Sequence, residues 1–246
     1  MALSGAAIGL LVGARLRTVV FRYAVAAHHE QRTDCPHCQR PLVTSGARAL
    51  LPALPTDGRC PRCHGRIGLP LATVEIVTAA VLGALAGRIG PHAELLAFGW
   101  LGAVGVALGG IDLLARRLPD RLTLPTYPVL ITLLAIATVG RADAWLLLRA
   151  LLGMVVLGSF YLLLVVVPAG GMGGGDLKLA GVLGLALGWL GWNVLLLGTF
   201  LGFLLAGSVS LALLALRRAT RTSTLPFGPF MITGALLAIL LAPVPS

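Results

Sequence analysis

The stretch LLAFGWLGAVGVALGGID, residues 95–112, runs for seventeen residues without a charge and then ends on an aspartate. A hydrocarbon core of roughly 30 Å needs about 20 mostly apolar residues of helix to cross it. Outward from this run the pattern repeats, with apolar segments near 1–21, 70–87, 92–111, 125–140, 144–168, 178–190, 193–216 and 228–243 and the charges gathered in the gaps. Composition agrees: 57% of the 246 residues are hydrophobic and 11% are charged, the mean hydropathy is +0.94, and soluble domains carry about 25% charged residues. The expected fold class is therefore all-α, a polytopic membrane helix bundle of about eight spans. No basic stretch precedes the first apolar segment, which reads as a span and not as a cleaved signal. It is the weakest of the eight, because Arg15 and Arg17 interrupt it. The sixth is short and glycine-rich, suited to tight packing through Gly181, Gly184 and Gly188.

A net charge of +10 raises nucleic acid as a partner. The arginines argue against it, since they sit in short loops between apolar runs and not in a soluble domain with interleaved aromatics. Loop placement instead sets orientation, because cytoplasmic loops retain Lys and Arg. With the N-terminus outside, the inner loops hold fourteen basic residues, Arg48, Arg116, Arg117, Lys178 and Arg221 among them, and the outer loops only Arg88, Arg141 and Arg149. The polar segment 22–69, the loop after Asp112 and the loop before Asp176 then all face the cytoplasm. The expected organisation is a first span at 1–21, a small cytoplasmic module at 22–69 and a membrane domain of about seven spans at 70–246. Under 50 residues, the module cannot build a sufficient core and needs a metal, a disulfide or the membrane surface to order it.

All four cysteines lie in that module, as Cys35-Pro36-His37-Cys38 and Cys60-Pro61-Arg62-Cys63, two Cys-x-x-Cys pairs separated by 21 residues. Each pair can turn so that its thiolates converge, and two turns complete a closed tetrahedral four-sulfur zinc site, structural because no coordination position stays open. Two disulfides are the alternative, disfavoured in a reducing cytoplasm. His37 and His64 neighbour the ligands but are read as exposed loop residues.

Only nine acidic residues are present. Glu30, Asp34 and Asp57 belong to the polar module and are read as solvated. Asp143 and Glu94 stand where helices begin, as N-terminal helix charges, and Asp120 as a cap before the fourth span. Glu75 lies about one turn inside the second span, where an ionisable side chain is expensive; it is either a site residue or the partner of a loop arginine. Asp112 closes the third span, and Asp176 follows the run Gly170-Gly171-Met172-Gly173-Gly174-Gly175. Either alone could be an interface residue or a helix cap. Together they suggest a carboxylate dyad, in which one member holds a proton and the other stays charged. The glycines would let a substrate strand approach the backbone closely, whereas a phosphate cradle is not expected without a preceding strand.

With these residues in order, the chain resembles the type IV prepilin peptidases, also called leader peptidases. The resemblance runs through Cys35-x-x-Cys38, Gly58-Arg59-Cys60-x-x-Cys63, Glu75, Ile111-Asp112, Leu118-Pro119-Asp120-x-Leu122-Thr123, Gly173-x-Gly175-Asp176-x-Lys178 and Pro226-Phe227-Gly228-Pro229. It implies an intramembrane aspartic peptidase of the bacterial cytoplasmic membrane with Asp112 and Asp176 catalytic. Gly173, Gly175, Lys178 and Glu75 would contact substrate, and Cys35, Cys38, Cys60 and Cys63 would hold structural zinc. It further implies pilin-like precursor proteins as substrates, cut after a glycine between a basic leader and an apolar helix. Many members also methylate the new N-terminus with S-adenosylmethionine. There the chain departs from the pattern, because Arg17 stands where that family usually has asparagine. Two other readings compete: a transporter, since intramembrane carboxylates also mark ion paths, and a zinc-module assembly scaffold without proteolysis.

Overall fold

A computed structural model of the chain describes residues 1–25, 31–43, 54–55, 57–69, 72–166, 173–218 and 225–242. Glu30, Arg48, Gly170, Gly171, Met172 and Arg221 lie outside the described residues. The described residues form helices α1 (Ala2–Tyr23), α2 (Thr73–Ile89), α3 (Glu94–Ala115), α4 (Asp120–Arg141), α5 (Trp145–Val166), α6 (Gly174–Leu190), α7 (Trp192–Ala215) and α8 (Gly228–Leu241). They contain no strand, only two isolated bridges.

Helices α1, α3, α4, α5 and α7 are long and apolar enough to cross a membrane, while α8 is a shorter apolar helix and α2 and α6 have 17 residues each. Their outward faces are apolar, with Leu3, Leu11, Val139, Val166 and Leu211 all largely exposed. In water such surfaces would be an aggregation hazard; in lipid they are the favourable outside. The chain is a multi-pass membrane protein.

Helix α1 matches the expected first span to within two residues and passes through Arg15 and Arg17 without a break. Two other boundaries differ from the sequence expectation. Helix α4 begins at Asp120, so Pro125 and Pro128 lie inside it; each proline removes a helix N–H, a loss that membrane helices tolerate when hydroxyls and neighbours re-satisfy the backbone. The carbonyls so freed are those of Arg121 and Leu124, four residues earlier; the Thr123, Thr126 and Thr132 hydroxyls bond instead to the carbonyls of Pro119, Leu122 and Pro128. Helix α6 starts at Gly174 and takes in the last two glycines of the run before Asp176.

The chain divides into two compact units, one formed by Met1–Pro91 with Gly99–Arg117 and the other by His92–Phe98 with Leu118–Ser246. In the first, α1 lies against α2 along a stripe of small residues. A Cβ at Gly9 would stand 2.5 Å from the Ala79 Cα, and one at Gly13 would stand 2.6 Å from the Glu75 Cα. Backbones this close associate through van der Waals contact, the small-xxx-small device of membrane helices. The next position on the stripe is Arg17, and it pairs with Glu75. Both residues are 7% exposed. Glu75 therefore meets a cation from a helix, not from a loop. Its second carboxylate oxygen and the Thr18 hydroxyl have no hydrogen-bond partner among the described residues.

Truncating one partner of a buried ion pair leaves an uncompensated charge, at a cost of about 3–5 kcal/mol, whereas replacing both with apolar groups is often close to neutral. Glu75→Leu is accordingly expected to lower the melting temperature of the detergent-solubilised protein sharply, and Arg17→Met added to it should restore most of the loss. Additive losses would show that the pair carries no coupling.

In the second unit the close approach is between α5 and α6. A Cβ at Gly188 would stand 2.9 Å from the Arg149 carbonyl and 3.0 Å from the Gly153 Cα, and Gly153 and Gly184 meet backbone to backbone. This is the tight packing expected of the sixth span. Trp189 is fully buried; its indole N–H donates to the Thr138 hydroxyl at 3.0 Å, and its ring packs edge-on against Phe98.

Candidate functional site

The two Cys-x-x-Cys segments fold into the same turn twice. The Cys35 and Cys60 carbonyls accept the N–H groups of Gln39 and His64 at 3.0 and 2.9 Å, and their own N–H groups donate to the carbonyls of Arg40 and Gly65. Gln39 and His64, each directly after the second cysteine of its pair, both adopt positive φ, 57° and 55°. The flanking bridges are Asp34 with Pro41 and Arg59 with Arg66. The outer bonds are Leu42 to Thr33 and Ile67 to Gly58. Every one of these features recurs at an offset of 25 residues, so the module is an internal duplication in structure that the divergent filler residues conceal in sequence.

The four sulfurs lie within 4.8 Å of one another. Cys35 Sγ to Cys63 Sγ and Cys38 Sγ to Cys60 Sγ are both 3.7 Å. A tetrahedral zinc with Zn–S near 2.3 Å has S···S edges of about 3.8 Å, so the donor set fits the ion. All four are free thiols, at separations far beyond the roughly 2.05 Å of a disulfide. The backbone N–H groups of Cys63 and Arg62 bring the Cys60 thiol down to about 6. For Cys63 the Gly65 N–H pulls downward, but desolvation and the neighbouring thiols outweigh it and push the group up to about 11. Four thiols this close cannot all ionise without a cation among them; a zinc ion would supply that charge and cross-link the module. Cys35 and Cys60 are wholly buried in the module's core with Phe21, Leu42, Val43 and Ile67. His37 and His64 are exposed and outside the sulfur cluster; His37 Nε2 lies 3.2 Å from the Arg66 carbonyl oxygen.

Asp112 sits in the last turn of α3 and is only 5% exposed. Asp176 is the third residue of α6, and its carboxylate accepts the Gly173 N–H at 3.3 Å. It thus serves as a helix N-terminal acceptor, where the helix dipole favours the anion. Gly175 backs onto Leu118, with a Cβ there 3.1 Å from the Leu118 Cβ. Lys178 reaches across to Asp120 at 2.6 Å, both side chains substantially exposed. Asp120 is thus the first residue of α4 and an ion-pair partner, not a cap in a loop.

At the other end of the second unit, Asp143 accepts the Trp145 N–H at 3.0 Å, as expected of a helix-start charge. Glu94 is more than that. It is 3% exposed and paired with Arg141, whose guanidinium lies 5.9 Å from the Trp189 ring centroid. Partners 47 positions apart in the chain cannot be matched by inspection of the sequence. The Gly5-Gly9-Gly13 stripe is legible in the sequence as an i, i+4, i+8 series of small residues.

Two family models match the chain, the Bacterial Peptidase A24 N-terminal domain over residues 7–89 and the Type IV leader peptidase family over residues 95–216. Among similar proteins, "Prepilin leader peptidase/N-methyltransferase" of Aeromonas hydrophila is 35% identical over 212 residues, covering 85% of this chain and 71% of that protein. The protein of the same name from Pseudomonas aeruginosa is 30% identical, with 95% of this chain and 88% of that protein covered. The Bacillus subtilis one is 28% identical, with 85% and 81% covered. No solved structure matches. The first model takes in the small-residue stripe from Gly9 to Glu75 and all four cysteines, the second both aspartates at the helix ends, and on those matches the chain belongs to the type IV leader peptidase family.

Proposed function

We propose that this protein is an intramembrane aspartic endopeptidase that removes the basic leader from type IV prepilin-like precursors, with Asp112 and Asp176 as its catalytic carboxylates. One observation carries the reading: within the segment matched to the leader peptidase family, Asp112 is a buried ionisable side chain at the end of an apolar span. Such a residue is expensive, and the natural expectation for it is chemistry. The names of the relatives supply the substrate class. In this mechanism the anionic member of the pair takes a proton from water as the oxygen attacks the scissile carbonyl. The protonated member donates to the carbonyl oxygen and then assists departure of the amine.

Gly173 and Gly175 would let the precursor backbone approach α6, while Lys178 would supply a charged contact; Glu75, buried and paired with Arg17, is taken up by the helix packing. The module at 22–69 and the membrane domain at 70–246 would act as separate parts on a first span at 1–21. The protein would lie in the bacterial cytoplasmic membrane with its N-terminus outside and the loops at both aspartates in the cytoplasm. The test is direct. Purified protein in detergent, given a pilin-like precursor, is expected to make a single cut at the junction of basic leader and apolar helix. An intact precursor under conditions where a relative from Aeromonas hydrophila cuts would overturn the reading.

The relatives' shared name favours a second activity, methyl transfer from S-adenosylmethionine. That donor carries a sulfonium and an ammonium, cations for which a buried carboxylate would be the counter-charge. Glu75, the carboxylate buried between α1 and α2, already holds the Arg17 guanidinium, so no residue is assigned to the cofactor. Labelled donor and a cleaved pilin would decide the matter: no transfer under cleaving conditions would exclude the second activity.

A further inference from the structure

Tyr127 lies two turns into α4, and the proposed peptidase chemistry gives it no task. Its hydroxyl donates to the Lys178 carbonyl at 2.6 Å, and the same oxygen faces the Val182 N–H. It therefore rests on the α6 rung that joins residues 178 and 182. Position 181 is glycine, and a Cβ there would overlap the Tyr127 hydroxyl. The missing side chain at 181 is what admits a phenol to the helix backbone. The Lys178 ammonium in turn meets Asp120, the first residue of α4.

Two ties thus join α4 to the start of α6. The exposed ion pair contributes little in water, whereas the phenol's bond is made in apolar surroundings, where leaving it unmade is costly. The start of α6 needs such a tie. It opens at Gly173, Gly174 and Gly175, residues whose backbones range more widely than any other, and Asp176 follows directly.

We propose that Tyr127 is a positioning residue for Asp176: by holding the Lys178 carbonyl it sets the height and rotation of the first turns of α6, and so the aim of the carboxylate two residues earlier. Tyr127 does not touch substrate. The inference rests on the reading of Asp176 as catalytic.

Steady-state cleavage of a pilin-like precursor by Tyr127→Phe, Gly181→Ala and the double variant tests it, with Asp176→Asn run beside them. Phenylalanine keeps the ring packing and removes only the bond. Tyr127→Phe is expected to lower kcat about tenfold, the rate equivalent of one hydrogen bond, with KM changed less than about twofold. Gly181→Ala should lose at least as much, since its methyl group displaces the hydroxyl. The double variant should lose little beyond Tyr127→Phe and far less than the two single losses combined, because removing the hydroxyl ends its overlap with the methyl and leaves ring carbons at 3.1 and 3.2 Å that need give only a few tenths of an ångström. Unchanged kcat in Tyr127→Phe, additive losses in the double variant, or a loss that merely follows the folded fraction on size exclusion would each overturn the proposal. If Asp176→Asn still cuts, the catalytic reading falls and this inference with it. If Asp176→Asn is inactive while Tyr127→Phe matches the parent, only the positioning role falls.

Discussion

Asp112→Asn and Asp176→Asn are each expected to reduce precursor cleavage by roughly 10³-fold or more, the scale on which removing one member of a concerted catalytic set acts. An amide can neither take the proton of the attacking water nor share one with its partner. The substitution is otherwise mild. At position 176 asparagine still offers an oxygen to the Gly173 N–H, the bond the carboxylate makes at 3.3 Å, and asparagine is as good a helix N-terminal acceptor as aspartate. At position 112 it replaces a buried ionisable group without changing shape. Zinc content and membrane insertion should therefore stay at the parent level while turnover vanishes. The double variant should be no worse than either single one, because residues that act as a unit lose their function together. The pH profile of the parent should be bell-shaped, with two apparent constants that belong to the pair and not to either aspartate. Substantial turnover in either single variant would show that the two carboxylates are not the catalytic pair, and would reopen the transporter and scaffold readings that family membership otherwise disfavours.

The second large effect is expected at the cysteines. Cys60→Ser should bring zinc from one equivalent per chain to near zero and make residues 31–69 susceptible to protease, while the membrane helices stay intact. Structural zinc contributes on the order of 10–16 kcal/mol of binding free energy to small modules of this kind. Among the described residues the buried core that surrounds Cys35 and Cys60 amounts to Phe21, Leu42, Val43 and Ile67, with Leu54 packed against it. Because the ligands are thiolates, the metal competes with protons. Occupancy should be full at neutral pH and fall progressively as the pH is lowered, recovering when zinc is restored at pH 7. Metal analysis across a pH series checks this, and a parent protein with less than half an equivalent of zinc at neutral pH would count against the centre.

The competing readings were already separable in the sequence to different degrees. The cysteine turns could be foreseen down to their ligands, because each knuckle is a six-residue structure whose geometry is local and whose partner is its own near-repeat. Its duplication could not, since Cys, Pro and the second Cys are the only residues the two copies share from 35–40 and 60–65. Helix α4 starts five residues before the expected span, because hydrophobic length marks the membrane-crossing part of a helix and not its polar first turn at Asp120 and Arg121.

Composition and period were enough to establish the all-helical membrane architecture, the segments that form its helices and the four-sulfur centre, because hydrophobic length and Cys-x-x-Cys spacing express their physics within a few turns of chain. Which charge neutralises which was decided only by the tertiary structure. Glu75 finds Arg17, Glu94 finds Arg141, and Lys178 finds Asp120, while the Tyr127 hydroxyl finds a carbonyl 51 residues away. Each of these pairings depends on how closely two helices approach and how each is rotated. Those variables are set by glycines such as Gly9, Gly13 and Gly181 acting against a neighbour that the local sequence does not identify.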